Sequence, residues 1–170
     1  MEKGIAHIIF GPIGAGKSTF AFELSKLHKA IKFSTDEWFK TLFFDDIKGM
    51  PNLEWTFERI TRCENQIWVI AKQLLVAGSD VVLDLGLHRI SDRKRFKTLC
   101  EEFDTEYKFY FLSADRTIRQ KRILKRNEGN GETFDFPVSP EIFEITDRMF
   151  EVPCKSEVLY TKHIDTGTSA

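Results

Sequence analysis

Long apolar runs are missing from this chain. None of its 170 residues falls in a run approaching the ~20 needed to cross a bilayer as a helix. A leader is missing too: MEKGIAHIIF reads as a first strand rather than a cleavable signal, so the expectation is a cytoplasmic protein. Cysteine is sparse. Cys63, Cys100 and Cys154 are widely spaced with no C-x-x-C pair, which argues for reduced thiols and against a disulfide framework or a zinc ribbon. The four histidines, His7, His28, His88 and His163, show no ligand spacing, so a metal held by protein alone is not expected. No charge of one sign dominates: 25 basic residues face 26 acidic ones, for a net charge of −1. That removes any global pull toward nucleic acid or a membrane surface and leaves only a local basic stripe open. Repeats, linkers and low-complexity tracts are absent, which points to one domain over residues 1–165 and a frayed tail at 166–170.

What the chain has is one complete phosphate-binding sequence. Gly11 to Thr19 reads GPIGAGKST and fits G-x-x-x-x-G-K-[ST] through Gly11, Gly16, Lys17 and Ser18. An apolar run precedes it and an amphipathic helical pattern follows, the strand–loop–helix setting the motif requires. In that setting the backbone N–H groups of Gly11, Ile13, Gly14, Ala15 and Gly16 cradle phosphate oxygens, joined by those of Lys17, Ser18 and Thr19 at the helix start. Lys17 then bridges the β- and γ-phosphates, and the Ser18 hydroxyl ligates Mg²⁺. A tight glycine turn beside a stray lysine is the plain alternative, and the flanking elements argue against it.

Strand-like and helix-like segments alternate, the mark of an α/β fold with a parallel sheet. Strands are expected at 6–10, 31–34, 81–84, 108–112 and 158–163. Helices are expected at 17–29, 38–44, 54–77, 92–103, 117–126 and 140–150. Residues 128–137 read as a loop, and together with the helix before them suggest a mobile lid over about 117–139.

Three further elements carry candidate chemistry. Asp36, in Ser34-Thr35-Asp36-Glu37 after the second strand, can accept a proton from an attacking hydroxyl or help place Mg²⁺; a helix N-cap is its bland alternative. Asp84 ends the buried strand VVLD, where an acid orients Mg²⁺, although turn chemistry also favours aspartate there. His88 and Arg89 follow in the loop, facing substrate or solvent. Arg119, Arg122 and Arg126 share one helix face, which suits triphosphate oxygens as well as it suits water. Between Trp38 and Arg62 lie many aromatics and charges, including Trp38 and Arg59, composed like a small-molecule pocket or like helix packing.

With these elements placed, residues 8–153 resemble the small P-loop kinases grouped with zeta toxin, chloramphenicol phosphotransferase and polynucleotide kinase. The likeness rests on GPIGAGKST, STDEW, VVLDLG, ADRTIRQKRILKRN and FPVSPEIFEITDRMFEVP. It implies a three-layer P-loop nucleoside-triphosphate hydrolase fold with a mostly parallel five-stranded sheet and a small lid. It also implies ATP and Mg²⁺ as cofactors and phosphorylation of a hydroxyl. Asp36 matches the group's base, Lys17 and Ser18 its phosphate and metal contacts, Arg122 and Arg126 its lid arginines. Arg119, one turn earlier, is a further nucleotide contact. Residues 38–62 match no member of the group, so the acceptor stays open. A small-molecule hydroxyl is expected, with a polynucleotide 5′-hydroxyl or a non-catalytic ATP-dependent switch as alternatives.

Overall fold

β1 (Ala6–Phe10) is buried at every position, which is why it reads as a nearly unbroken apolar run: a strand covered on both faces has no solvent side for polar residues. A computed structural model describes residues 2–47, 52–129 and 138–167. Along the chain β1 is followed by α1 (Lys17–His28), β2 (Ile31–Ser34), α2 (Thr35–Phe43), α3 (Leu53–Val76) and β3 (Val81–Asp84). Then come α4 (Ile90–Glu102), β4 (Tyr107–Ser113), α5 (Arg116–Glu128), α6 (Pro140–Met149), α7 (Lys155–Val158) and β5 (Thr161–Asp165).

The sheet runs β2-β3-β1-β4-β5, and every pairing is parallel. Alternation along β1 divides the core in two. Ile8 and Phe10 point to the face covered by Ile67, Trp68, Ala71 and Leu75 of α3 and by Phe96 and Cys100 of α4. Ile9 points to the other face, where Ala21 and Leu24 of α1 pack. Helices on both faces of a parallel sheet make the expected three layers. No helix among the described residues is long and apolar enough to cross a membrane.

Most boundaries shift by a residue or two, and three differences have a local reason. α2 begins at Thr35 rather than Trp38, because the Ser34 side chain accepts from Glu37 N at 3.3 Å and caps the helix there. The last strand begins at Thr161, since Val158, expected at its start, closes α7, where Glu157 accepts from Cys154 N at 3.0 Å. Thr166, expected in a frayed tail, is anchored: its N–H donates to Ser113 O at 2.8 Å and its hydroxyl lies 3.0 Å from Ala15 O. Of the expected lid, α5 is described, and residues 130–137 lie outside the described residues.

Candidate active site

The site is assembled where β1, β2 and β3 end. Register places Ile9 beside Asp84 and Asp84 beside Ser34, so three strand tips converge at one edge. In an open parallel sheet this carboxyl edge, at the point where the order reverses, is where ligands bind. From β1 the chain enters the glycine loop, with Gly14 at φ 77 and Gly16 at φ 85. Those left-handed values favour glycine, and a Cβ on Gly14 would sit 2.8 Å from Arg119 O, so α5 closes directly over the loop. Gly16 caps α1 with no side chain, and no acid stands in the first turn. The helix therefore presents unshielded N–H groups and its positive end to an anion.

Around this loop lies a cleft of about 1100 Å³, roomy enough for a nucleotide and a second molecule. Lys17 lines it, with Nζ 3.2 Å from Pro12 O of its own loop. Burial lowers the Lys17 pKa, and the carboxylates of Asp84 and Asp36 oppose that loss of charge. Asp84 is 6% exposed; burial raises its pKa, against the pull of Lys17 and a hydrogen bond from the Ser18 hydroxyl. Asp36, in the first turn of α2, stands open to the cleft water although protein encloses it on its other sides. Its pKa is raised by desolvation and then by the Asp84 charge, an effect the cleft water softens. Two acids whose ionised forms desolvation disfavours, one of them further opposed by the other's charge, suit a divalent cation. Ser18 and Asp84 supply the hard oxygen donors Mg²⁺ takes.

The arginine row divides by role. Arg119 does not line the cleft. Its guanidinium donates to Ala114 O at 3.0 Å, Ile13 O at 3.1 Å and Asp147 at 2.6 Å, so it braces the glycine loop from behind. Arg122 lines the cleft and donates to Thr166 O at 2.6 Å. Arg126 lines it with Nε buried and without a hydrogen-bond partner among the described residues, its charge acting on both Lys17 and Asp36. A buried unpaired donor beside the phosphate loop is a place for an anionic oxygen.

His88 and Arg89 also line the cleft. Burial pushes His88 down to about 4, helped by the charges of Lys17, Arg93 and Arg89, and its Nδ1 is buried without a partner among the described residues. Trp38 and Arg59 do not line the cleft. Trp38 packs edge-on against Phe33 with ring centroids 6.4 Å apart, and Arg59 lies 4.0 Å over Trp55. Phe39, Phe43 and Trp55 form one cluster between α2 and α3. Of the aromatics in that stretch Phe57 reaches the cleft, joined by Ile60, Thr61 and Glu64 from successive turns of α3 and by Asp92 and Arg95 of α4. Glu64 was discoverable: a carboxylate inside the apolar stripe of a helix is out of pattern unless it is paired, and here it pairs with Arg95. Ile164, Asp165 and Thr166 line the cleft as well, and nothing in their sequence announces it.

Sheet order, glycine loop and the acid at the tip of β3 together define a P-loop nucleoside-triphosphatase fold. Within that class the chain belongs to the AAA domain family (AAA_33), whose profile matches residues 7–140. No curated protein matches the sequence significantly. Among solved structures, a candidate kinase from Chloroflexus aurantiacus superposes with a TM-score of 0.73 at 20% identity, covering 99% of this chain and 88% of that one. Kti12 of Chaetomium thermophilum, solved with ADP-AlF3, gives 0.71 at 13% identity over 95% of this chain and 89% of its own. The Mycobacterium tuberculosis APS kinase CysC, solved with AMPPNP and APS, gives 0.66 at 16% identity over 99% and 92%. At such identities the likeness establishes the fold.

Proposed function

We propose that the protein is a phosphotransferase that moves the γ-phosphoryl group of Mg·ATP to a hydroxyl of a small molecule. The observation that carries this reading is Asp36, a carboxylate on the cleft wall that is relieved of capping by Ser34 and set beside Lys17 and Asp84. A protein that only bound nucleotide would need the loop and Asp84 but no second acid there. The loop N–H groups and Lys17 hold the β- and γ-phosphates, and Arg126 and Arg122 meet charge on the phosphoryl oxygens. Asp36 orients the acceptor hydroxyl and takes its proton. The acceptor oxygen bonds to phosphorus as the bond to the β,γ-bridging oxygen breaks, and ADP leaves with that electron pair. Mg²⁺, held through Ser18 and Asp84, supplies charge neutralisation on the phosphates. The acceptor lies toward Phe57, His88 and Arg89.

The test is ADP release from Mg·ATP with pooled hydroxyl-bearing metabolites, antibiotics or oligonucleotides, with ³¹P detection of the phosphorylated product. Release stimulated by a small-molecule pool and lost in Asp36→Asn supports the proposal. Stimulation by oligonucleotides alone reassigns the acceptor to polynucleotide ends. Tight ATP binding with no stimulated turnover in any pool favours a nucleotide-dependent switch.

A further inference from the structure

Far from the phosphate loop, the start of β1, the end of α1 and the turn before β3 bring together three residues that the sequence separates. His7 Nε2 lies 3.5 Å from Asp80 Oδ2, and His28 Nδ1 lies 3.7 Å from the same oxygen. The three ligand-capable atoms all lie within 4.8 Å of one another. From these positions we propose that His7, His28 and Asp80 form a Zn²⁺ site with a fourth position open to water.

The plain alternative is a hydrogen-bonded His–Asp–His cluster, in which His7 and Asp80 share one long hydrogen bond. Both contacts exceed the ~2.9 Å typical of N–H···O bonds. They come close instead to the separation that a tetrahedral ion imposes: bonds of ~2.0–2.1 Å hold neighbouring ligand atoms about 3.3 Å apart. Small closing movements would complete the site, where the His28 ring, on the last turn of α1, already lies 4.4 Å from that of His7.

The surrounding contacts are those of a metal site. Tyr110 Oη lies 3.0 Å from His7 Nδ1; accepting the proton there leaves the Nε2 lone pair directed at Asp80. The other Asp80 oxygen accepts from Ile5 N at 2.8 Å, which fixes the carboxylate while Oδ2 stays available. His7 is wholly buried, whereas the side chains of His28 and Asp80 are 32% and 20% exposed, which gives an ion a way in. One charge opposes it: Lys108 acts on His7, although Glu106 sits 3.4 Å from the Lys108 ammonium. Two imidazoles and one carboxylate suit Zn²⁺ among the common divalent ions, and Ca²⁺ and Mg²⁺ poorly. Along the 12 residues of α1, at ~1.5 Å each, the site stands about 18 Å from the glycine loop. It is therefore separate from the nucleotide's own cation. An ion there would tie the C-terminal end of the phosphate-loop helix to the sheet.

The experiment uses the full chain without nucleotide and with Mg²⁺ in excess, so that the Ser18–Asp84 position is competed. Isothermal titration with Zn²⁺ should give one site per chain. Tyr110→Phe should weaken binding by about 10–100-fold, the effect typical of losing the partner that orients a ligating imidazole. His28→Ala should weaken it further, and Ser18→Ala should leave it unchanged. Co²⁺ substitution of the wild-type chain gives a readout needing no variant: visible ligand-field bands without thiolate charge-transfer bands. Absence of a Zn²⁺ site in the folded wild-type protein would overturn the proposal. So would equal affinity in His28→Ala, or thiolate bands placing the ion at a cysteine.

Discussion

Asp36 is available for chemistry because of a residue two positions earlier. Ser34 Oγ accepts from Glu37 N, so the first turn of α2 is capped without the Asp36 carboxylate. That carboxylate instead faces Asp84 and Lys17. Its folded pKa is raised, so the stability it contributes is present at low pH and is lost as pH rises through the folded value. Asp36→Asn removes the ionisable group at constant shape. The expected outcome is turnover reduced by ~10²-fold or more, the usual weight of a general base, with a melting temperature equal to or above the parent's. Turnover assays and thermal melts on the same preparations check both halves. His88 works with the opposite slope. Its folded pKa of about 4 stands below the ordinary 6.5, so between these values the unfolded chain takes up a proton that the folded one refuses. Stability is full above pH 6.5 and falls as pH drops toward 4. His88→Gln should therefore flatten the acid limb, by roughly 2 kcal/mol between pH 7 and 5 in paired urea titrations. The position of Asp36, Asp84 and Lys17 on the cleft wall was legible in the sequence because each sits at a strand end or in a motif whose geometry is fixed. Trp38 and Arg59 were misplaced because aromatics among charges describe helix packing as well as they describe a pocket.

Among the elements, α4 and α7 meet through a contact that no motif announces. Arg93 is wholly buried and pairs with Glu157 through Nε at 2.6 Å and Nη2 at 3.1 Å. It also donates to Leu87 O, His88 O and Glu151 O, and its guanidinium lies 4.7 Å over the Phe10 ring. Burial alone would raise the Glu157 pKa, but the Arg93 pair and Cys154 N carry it down. Arg93 thus fastens the loop after β3, and with it His88, to the C-terminal segment. Arg93→Met should lower stability by about 3–5 kcal/mol in urea titrations, because it leaves a buried carboxylate unpaired. Adding Glu157→Gln should restore part of the loss, since the orphaned charge goes with it. On α5, helical spacing told which arginines share a face; it could not tell that α6 supplies Asp147 to one of them. Arg119 and Arg126 should separate on substitution. Arg119→Ala is expected to lower the melting temperature by several degrees, through loss of the Asp147 and Ile13 contacts. Arg126→Ala should leave melting nearly unchanged while reducing turnover by ~10²-fold.

At the scale of the whole molecule, parallel order β2-β3-β1-β4-β5 brings the glycine loop, Asp36 and Asp84 to one edge, and alternation in the sequence made that layering readable. The details that were not readable depend on partners distant in sequence, such as Thr166 against Ala15 and Arg122, or Ile164 along the cleft. The assembled cleft sets like charges together: carboxylates at Asp36 and Asp84 whose ionised forms desolvation disfavours, and cations at Lys17 and Arg126 that repel one another. Neither ATP nor Mg²⁺ alone answers both. Phosphate oxygens satisfy the cations yet bring more negative charge toward the two acids, and the metal relieves the acids while leaving the guanidinium unpaired. Mg·ATP satisfies both together. A ligand at 100 times its Kd stabilises by about 2.7 kcal/mol, and for a chain of this size each kcal/mol shifts melting by roughly 2–4 °C. Saturating Mg·ATP should therefore raise the melting temperature by about 5–10 °C. ATP with EDTA, and Mg²⁺ without nucleotide, should each give much less than half of that, and Lys17→Ala should abolish the response to Mg·ATP. Differential scanning fluorimetry across the four conditions checks the prediction. Equal shifts from ATP with and without the metal would mean that Ser18 and Asp84 hold no cation and that Asp84 serves the turn alone.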